Sequence, residues 1–250
     1  MAKDPKKQSK TERAQALMRE QKRKERMRNL LVVGSVVVAV LIIAGVLFFV
    51  QSKNDTTGKT VTASGTPRNL SGTYNVVVGK SSAPTTIKLY EDLQCPICKE
   101  FEAVTAKQVD AAIAAGTVKV EYHMVAFLDR SSTTNYSSRA LNAAAAVLDT
   151  AGPDTFLKFH NLLYDNQPAE GSAGLSDQQL IQYAVQAGAD QAKVTPLIDG
   201  NVYHQWVVNA TNQMSLDKVT GTPTVYVNGK ESTTPQAAAQ AVLAVTKATR

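Results

Sequence analysis

The sequence predicts a single membrane-spanning helix followed by an α/β domain that is interrupted by a block of helices. Three features predict it. Leu30–Val50 is an uncharged apolar run, a strand–helix–strand pattern extends from Thr85 to Phe127, and a long helical stretch closes on an Asn-Gly hairpin and a last helix.

Residues 1–29 hold eleven Lys/Arg and four acids, a net charge of +7, whereas the whole chain carries +6. Everything after Asn29 therefore sums to −1. The basic character belongs to the tail and gives no ground for a nucleic-acid partner. The run Leu30–Val50 has 21 residues with only Gly34, Ser35 and Gly45 breaking its apolar character. As a helix it spans roughly 30 Å, the thickness of a bilayer core. It is longer than the h-region of a signal peptide (about 7–15 residues) and no clear small-x-small cleavage site follows, so it reads as an uncleaved anchor in the lipid bilayer. The positive-inside rule places the 1–29 tail in the cytoplasm and residues 51–250 outside. Thr11–Asn29 is rich in helix formers; a solvated, partly helical topology signal is favoured over a helix lying on anionic lipid.

Residues 51–73, rich in Thr, Ser, Gly and Lys, read as a flexible linker, and the folded domain 74–250 begins near Tyr74. Asn75–Val78 and Thr85–Tyr90 are β-branched, alternating strand candidates. Pro96–Ala115 places Phe101, Val104, Val109, Ala112 and Ile113 roughly on one face and stops at Gly116, so a helix is expected there. Val118–Phe127 returns to strand, completing a βαβ unit. Helices are expected over Asn135–Ala151, Pro153–Asn166, Ser176–Ala187, Asp190–Ile198 and Val202–Leu216, giving a helical insertion over about 131–217. Thr224–Val227, the Asn228-Gly229 turn and a last strand form a hairpin, and Pro235–Thr249 is the closing helix.

The chain has two cysteines, in the segment Cys95-Pro96-Ile97-Cys98. Random placement gives this spacing about one time in a hundred. The pair follows a strand and opens a helix, where unpaired N–H groups and the helix dipole favour an anion, here a thiolate. Residues i and i+3 at a helix start share a face, so the sulfurs can close a disulfide or sit as thiolate and thiol. Cys95, at the helix end, is expected to be the exposed nucleophile and Cys98 the buried resolving thiol. Competing readings are a structural disulfide closing a four-residue loop, a metal site and an inert pair. A metal site would need further ligands. None of His123, His160 and His204 shows ligand spacing to the pair, so neither metal nor cofactor is expected.

At these residues the chain resembles the DsbA-like thioredoxin-fold oxidoreductases. Ser82–Glu102 (SAPTTIKLYEDLQCPICKEFE) matches their Pro-led strand, C-P-x-C and K-x-F pattern; Gly221-Thr222-Pro223-Thr224 followed by Val225–Lys230 is similar to their cis-proline loop and hairpin; Phe159–Leu163 through Pro168 is similar to a helix of their inserted helical domain. The resemblance covers roughly residues 74–250. It implies a thioredoxin fold with an inserted all-helical domain, Cys95 and Cys98 as the catalytic pair, Pro96 and Ile97 as the active-site loop, and a cis Pro223 beside the pair. Thr222 and Pro223 would then bind an extended substrate peptide. The implied function is oxidation of dithiols in unfolded or folding secreted or cell-envelope proteins, with a membrane redox partner for reoxidation. A reductase or isomerase of the same fold and a non-catalytic membrane-tethered peptide-binding module are the alternatives.

The chain departs from the family pattern at two places. The buried acid that many thioredoxin-fold proteins carry six positions before the first cysteine is here Leu89, while Glu91 and Asp92 fall nearer the helix start. Proton transfer to Cys98 is then expected to use another group or water. Ile97 stands where the best-known periplasmic oxidases have His, which argues against extreme oxidising strength. Thr222 before the proline resembles the isomerase and reductase branches. His160 lies on an apolar face with Phe156, Phe159 and Leu163, the pattern of a satisfied core histidine rather than a redox-tuning one.

Overall fold

The structure, a computed structural model, describes residues 65–247. The basic tail, the apolar span 30–50, the linker as far as residue 64 and residues 248–250 lie outside the described residues. Among the described residues no helix is long and apolar enough to cross a membrane.

Strands β1 (Val76–Val78) and β2 (Thr85–Asp92) precede helix α1 (Pro96–Ala115), which leads into β3 (Val118–Val125). Parallel strands need a crossover of this kind, and β2 and β3 are parallel neighbours. Gly116 ends α1 at φ 78°, where its N–H reaches the carbonyls of Ala112 and Ile113. A single turn of 3-10 helix (Phe127–Ser131) opens the helical insertion. It continues as α2 (Tyr136–Ala151), α3 (Pro153–Asp165), α4 (Asp177–Ala187), α5 (Gln191–Asp199) and α6 (His204–Leu216). The chain then returns to the sheet as β4 (Thr224–Val227) and β5 (Lys230–Glu231), and closes with α7 (Pro235–Lys247) packed against α1 and β4. The sheet order is β1-β3-β2-β4-β5, with β2 at its centre and β1, β4 and β5 antiparallel to their neighbours.

Local chemistry sets these boundaries. Pro153 occupies the first turn of α3, where its missing N–H costs nothing. Ser176 and Gln179 form a reciprocal capping box on α4. Helix α2 is buried along most of its length, and its alanines at 140 and 143–146 let neighbouring helices approach closely. The hairpin turn uses Asn228 and Gly229 at positive φ, as a two-residue turn matched to strand twist requires.

The insertion covers the C-terminal edge of the sheet. In β2, buried and half-buried residues alternate as far as Leu89, after which Tyr90, Glu91 and Asp92 are all buried. On one face Tyr90 and Val125 pack with Met214 and Val219; on the other, Leu89 and Tyr122 pack into the main core with Phe156 and Phe159 of α3.

Several boundaries differ from the sequence expectation, and three of the differences have a plain physical cause or consequence. Strand β2 runs two residues past Tyr90, so Glu91 and Asp92 belong to the sheet rather than to the approach to the helix. Strand β3 ends at Val125 instead of Phe127, because the Ala126 N–H donates to Thr211 Oγ1 of α6 at 2.9 Å and leaves the ladder. The last residues of the expected linker, 65–73, are docked on the domain. Pro67 is buried, Arg68 makes a two-pronged ion pair with Asp149 at 3.0 and 2.9 Å, and Asn69 Nδ2 donates to the Leu148 carbonyl. Trp206 Nε1 donates to the Thr73 carbonyl at 3.0 Å.

This docking should be anchored by Trp206 rather than by the exposed Arg68. Trp206→Ala should lower the unfolding free energy by about 3–5 kcal/mol, as for other buried aromatic truncations. Arg68→Ala should leave the urea midpoint, followed by circular dichroism, nearly unchanged, because an exposed ion pair contributes little.

Candidate functional site

Cys95 caps α1. Its φ of −73° and ψ of 117° are extended, and its sulfur occupies the place of a capping oxygen, accepting the Cys98 N–H at 3.4 Å. Pro96 fills the first helical position. The turn is held from behind by Cys95 N–H donating to the Asp92 carbonyl at 2.9 Å, and from the insertion by Gln167 Nε2 donating to the Cys95 carbonyl at 2.9 Å. Gln94 fastens the same turn to the insertion through the carbonyls of Ala169 and Ser172. No disulfide joins the two sulfurs in this structure.

The structure brings together the residues singled out in the sequence. The Thr222–Pro223 peptide is cis, and the Cys95 thiol lies 3.5 Å from the Thr222 carbonyl oxygen, positioned to donate to it. Ile97 is 40 % exposed beside the pair. One expectation is corrected. Cys95 is only 5 % exposed, because the Thr222 loop lies against its sulfur, although it is still the more accessible of the two; Cys98 is fully buried.

The two sulfurs are electrostatically unequal. Hydrogen bonding from the Cys98 side chain lowers the Cys95 thiol from 9.0 to about 6; burial opposes this, and the Thr222 side chain and the N–H groups of Cys98 and Ile97 add to it. Cys98 is driven the other way. Burial raises its thiol well above the ordinary value, and the neighbouring Cys95 and the negative charge of Glu91 reinforce the effect.

Sequence reasoning missed the polar groups beneath the pair. Asp92, fully buried, accepts from Gln94 N–H at 2.8 Å, Leu128 N–H at 2.8 Å and Ser137 Oγ at 2.6 Å. Burial raises its carboxyl to about 6, while these donors limit the shift. Leu89 is an ordinary core residue, as its position in the strand requires. The buried acid stands two residues further on, at Glu91, on the same face of β2 because strand side chains alternate. Glu91 Oε2 lies 3.0 Å from His160 Nε2. Glu102, one helical turn beyond Cys98, belongs to the same cluster. His160 is therefore in the core, as its helical spacing indicated, but its partner is a carboxylate under the cysteine pair. The strand period and the i,i+4 relation could have flagged Glu91 and Glu102; nothing in the sequence ties either to His160.

The depressed Cys95 thiol carries a pH dependence. Folding of the reduced chain releases a proton from Cys95 between pH about 6 and 9.0, so this group's stabilising contribution is complete above 9.0 and is lost as pH falls through about 6. Native reduced protein should lose a single thiol to an alkylating reagent with a pH midpoint of about 6, with Cys98 unmodified. The stability difference between reduced wild type and Cys95→Ser should grow over that window; a flat difference contradicts the assignment.

Comparison with known proteins agrees with this geometry. A family model described as "Thioredoxin" matches residues 71–246. Over 158 residues the chain is 32 % identical to the serine/threonine-protein kinase PknE of Mycobacterium tuberculosis, an alignment covering 60 % of this chain and 28 % of the kinase. The chain thus spans under a third of that relative's length. Disulfide bond formation protein D of Bacillus subtilis is 27 % identical over 164 residues, covering 62 % of this chain and 68 % of that protein. Among solved structures, oxidised DsbA of Mycobacterium tuberculosis superposes with a TM-score of 0.58 at 33 % identity, covering 69 % of this chain and 92 % of DsbA. With the family model spanning most of the chain and a DsbA matched over nearly its whole length, the chain belongs to the thioredoxin family and is DsbA-like.

Proposed function

We propose that this chain oxidises dithiols of secreted or cell-envelope proteins, working from the outer face of the membrane in which its N-terminal segment is anchored. The reading is carried by the inequality of the two sulfurs: Cys95 is held as a thiolate at neutral pH and Cys98 as a buried thiol. A substrate thiolate attacks the Cys95 sulfur of the Cys95–Cys98 disulfide, forming a mixed disulfide and releasing Cys98. The second substrate thiol then displaces Cys95. The substrate gives up two electrons and two protons, and the pair receives them as a dithiol. Displacement is fastest when the leaving thiol has a low pKa, which is the property of Cys95. The Thr222 carbonyl, beside the sulfur, offers a backbone acceptor to an extended peptide. A membrane redox partner returns the pair to the disulfide.

The extracytoplasmic placement rests on the +7 flank preceding Leu30. Reduction or isomerisation by the same site is the second reading, and Thr222, with Ile97 in place of an imidazole, is what favours it.

Cys98→Ser should accumulate covalent complexes with secreted proteins, seen as dithiothreitol-sensitive bands on a non-reducing gel, whereas Cys95→Ser should accumulate few. Protease added outside wall-stripped cells should digest the domain that carries these complexes. Absence of complexes from both variants would leave a peptide-binding module as the better reading, and protection of the domain would overturn its placement.

A further inference from the structure

Glu91 on β2, Glu102 on α1 and His160 on α3 meet beneath the active-site turn. Each offers one ligand-type atom, and these atoms lie within 4.8 Å of one another. All three side chains are buried, at 0 %, 7 % and 1 % exposure. Two features mark the cluster as more than a buried polar contact. Glu91 Oε1 is fully buried and meets no donor other than the facing Glu102 carboxyl, with which it can share a proton; when both carboxyls are ionised, a further group must complete the site. His160 is oriented from outside. Its Nδ1 lies 3.1 Å from Asn161 Oδ1, and Asn161 Nδ2 donates to Asp110 Oδ2 at 2.9 Å, which leaves Asn161 Oδ1 to accept from Nδ1–H and aims Nε2 at Glu91. A hydrogen-bonded partner on the far nitrogen is the usual outer support of a metal-binding histidine.

Charge and access fit the same ligand. In their ligating forms two carboxylates and an imidazole carry −2, which a divalent cation neutralises. Tyr122 and Tyr164 lie against the imidazole, with ring centroids 4.8 Å from His160 in each case, so apolar surface surrounds the cluster. A cleft of about 350 Å³ between α1 and α3 reaches Glu102 and Asn161, and Asp110, Asp165, Lys99 and Lys107 also line it. Bond lengths of about 2.0–2.2 Å to nitrogen and oxygen put ligand atoms on one ion roughly 3–4 Å apart. The 3.0 Å between His160 Nε2 and Glu91 Oε2 already meets this, and the Glu102 oxygen lies within 4.8 Å of both.

We propose that Glu91, Glu102 and His160 form a site for one divalent cation of the zinc class, bound by oxygen and nitrogen without either cysteine. The ion would tie the sheet, the active-site helix and the helical insertion together at one point. The untagged full chain carrying Cys95→Ser and Cys98→Ser, which removes thiolate ligation, is titrated with Co²⁺. A single equivalent should bind with visible d–d absorption and no sulfur-to-cobalt charge-transfer band, Zn²⁺ should displace it, and Zn²⁺ should raise the Tm. Glu102→Gln keeps the shape of the side chain, and its metal-free circular dichroism and Tm show whether it folds; its affinity should fall by more than about tenfold. His160→Gln should abolish the absorption. If the folded double-serine chain takes up no stoichiometric Co²⁺ or Zn²⁺, the site is a proton-sharing acid cluster and the proposal fails. It fails equally if Glu102→Gln and His160→Gln both bind the ion with unchanged affinity.

Discussion

The Cys95 thiolate is held by the Cys98 side chain and, from 3.4 Å, by the Cys98 backbone N–H, and the chemistry of the domain depends on that placement at the helix start. The first turn of any helix leaves N–H groups without partners, and something must accept from them. In most helices a hydroxyl or carboxylate oxygen does so; here it is sulfur. The accepting atom gains most when it carries negative charge, so the helix start favours the thiolate over the thiol. A disulfide lacks that charge and gains less. Whatever stabilises the Cys95 thiolate therefore stabilises the reduced protein relative to the oxidised one, and makes the disulfide a better acceptor of electrons.

The helical insertion creates the opposite environment for Cys98. It covers the C-terminal edge of the sheet from both faces, burying Glu91 and Asp92 at the end of β2 together with Cys98 on α1. Gln94 and Gln167 bond across this junction to fix the turn between strand and helix. One sulfur thus faces helix amides and the Thr222 loop, and the other faces a dry interior containing acids. Neither half of the domain produces this difference alone. The sheet and α1 supply the helix start, and the insertion supplies the burial.

Much of this was legible in the sequence because it is written in local patterns. Helix α1 starts and stops where Pro96 and Gly116 require, the alternation of Ile87 and Leu89 marks β2, and Asn228-Gly229 marks the hairpin. The pairing of the CPIC turn with Thr222-Pro223 followed from a resemblance rather than from spacing, since 127 residues separate Cys95 from Thr222. Contacts of similar range without a motif were not legible. The extension of β2 through two acids runs against strand propensity and is imposed by the helices that cover it. Residues 65–73 dock through Trp206 and also meet Asp149, and no feature of a Thr- and Gly-rich segment announces such partners. His160 was readable as a core residue, but its carboxylate partners on β2 and α1 were not.

The central claim, that the active site stabilises the dithiol and so acts as an oxidant, is tested most directly by equilibrating the full chain with defined mixtures of reduced and oxidised glutathione and measuring the fraction of Cys95–Cys98 in the disulfide. A standard potential above about −200 mV is predicted. A value near −270 mV would assign the site to reduction, and one below about −300 mV would make the bond structural; either result contradicts the account.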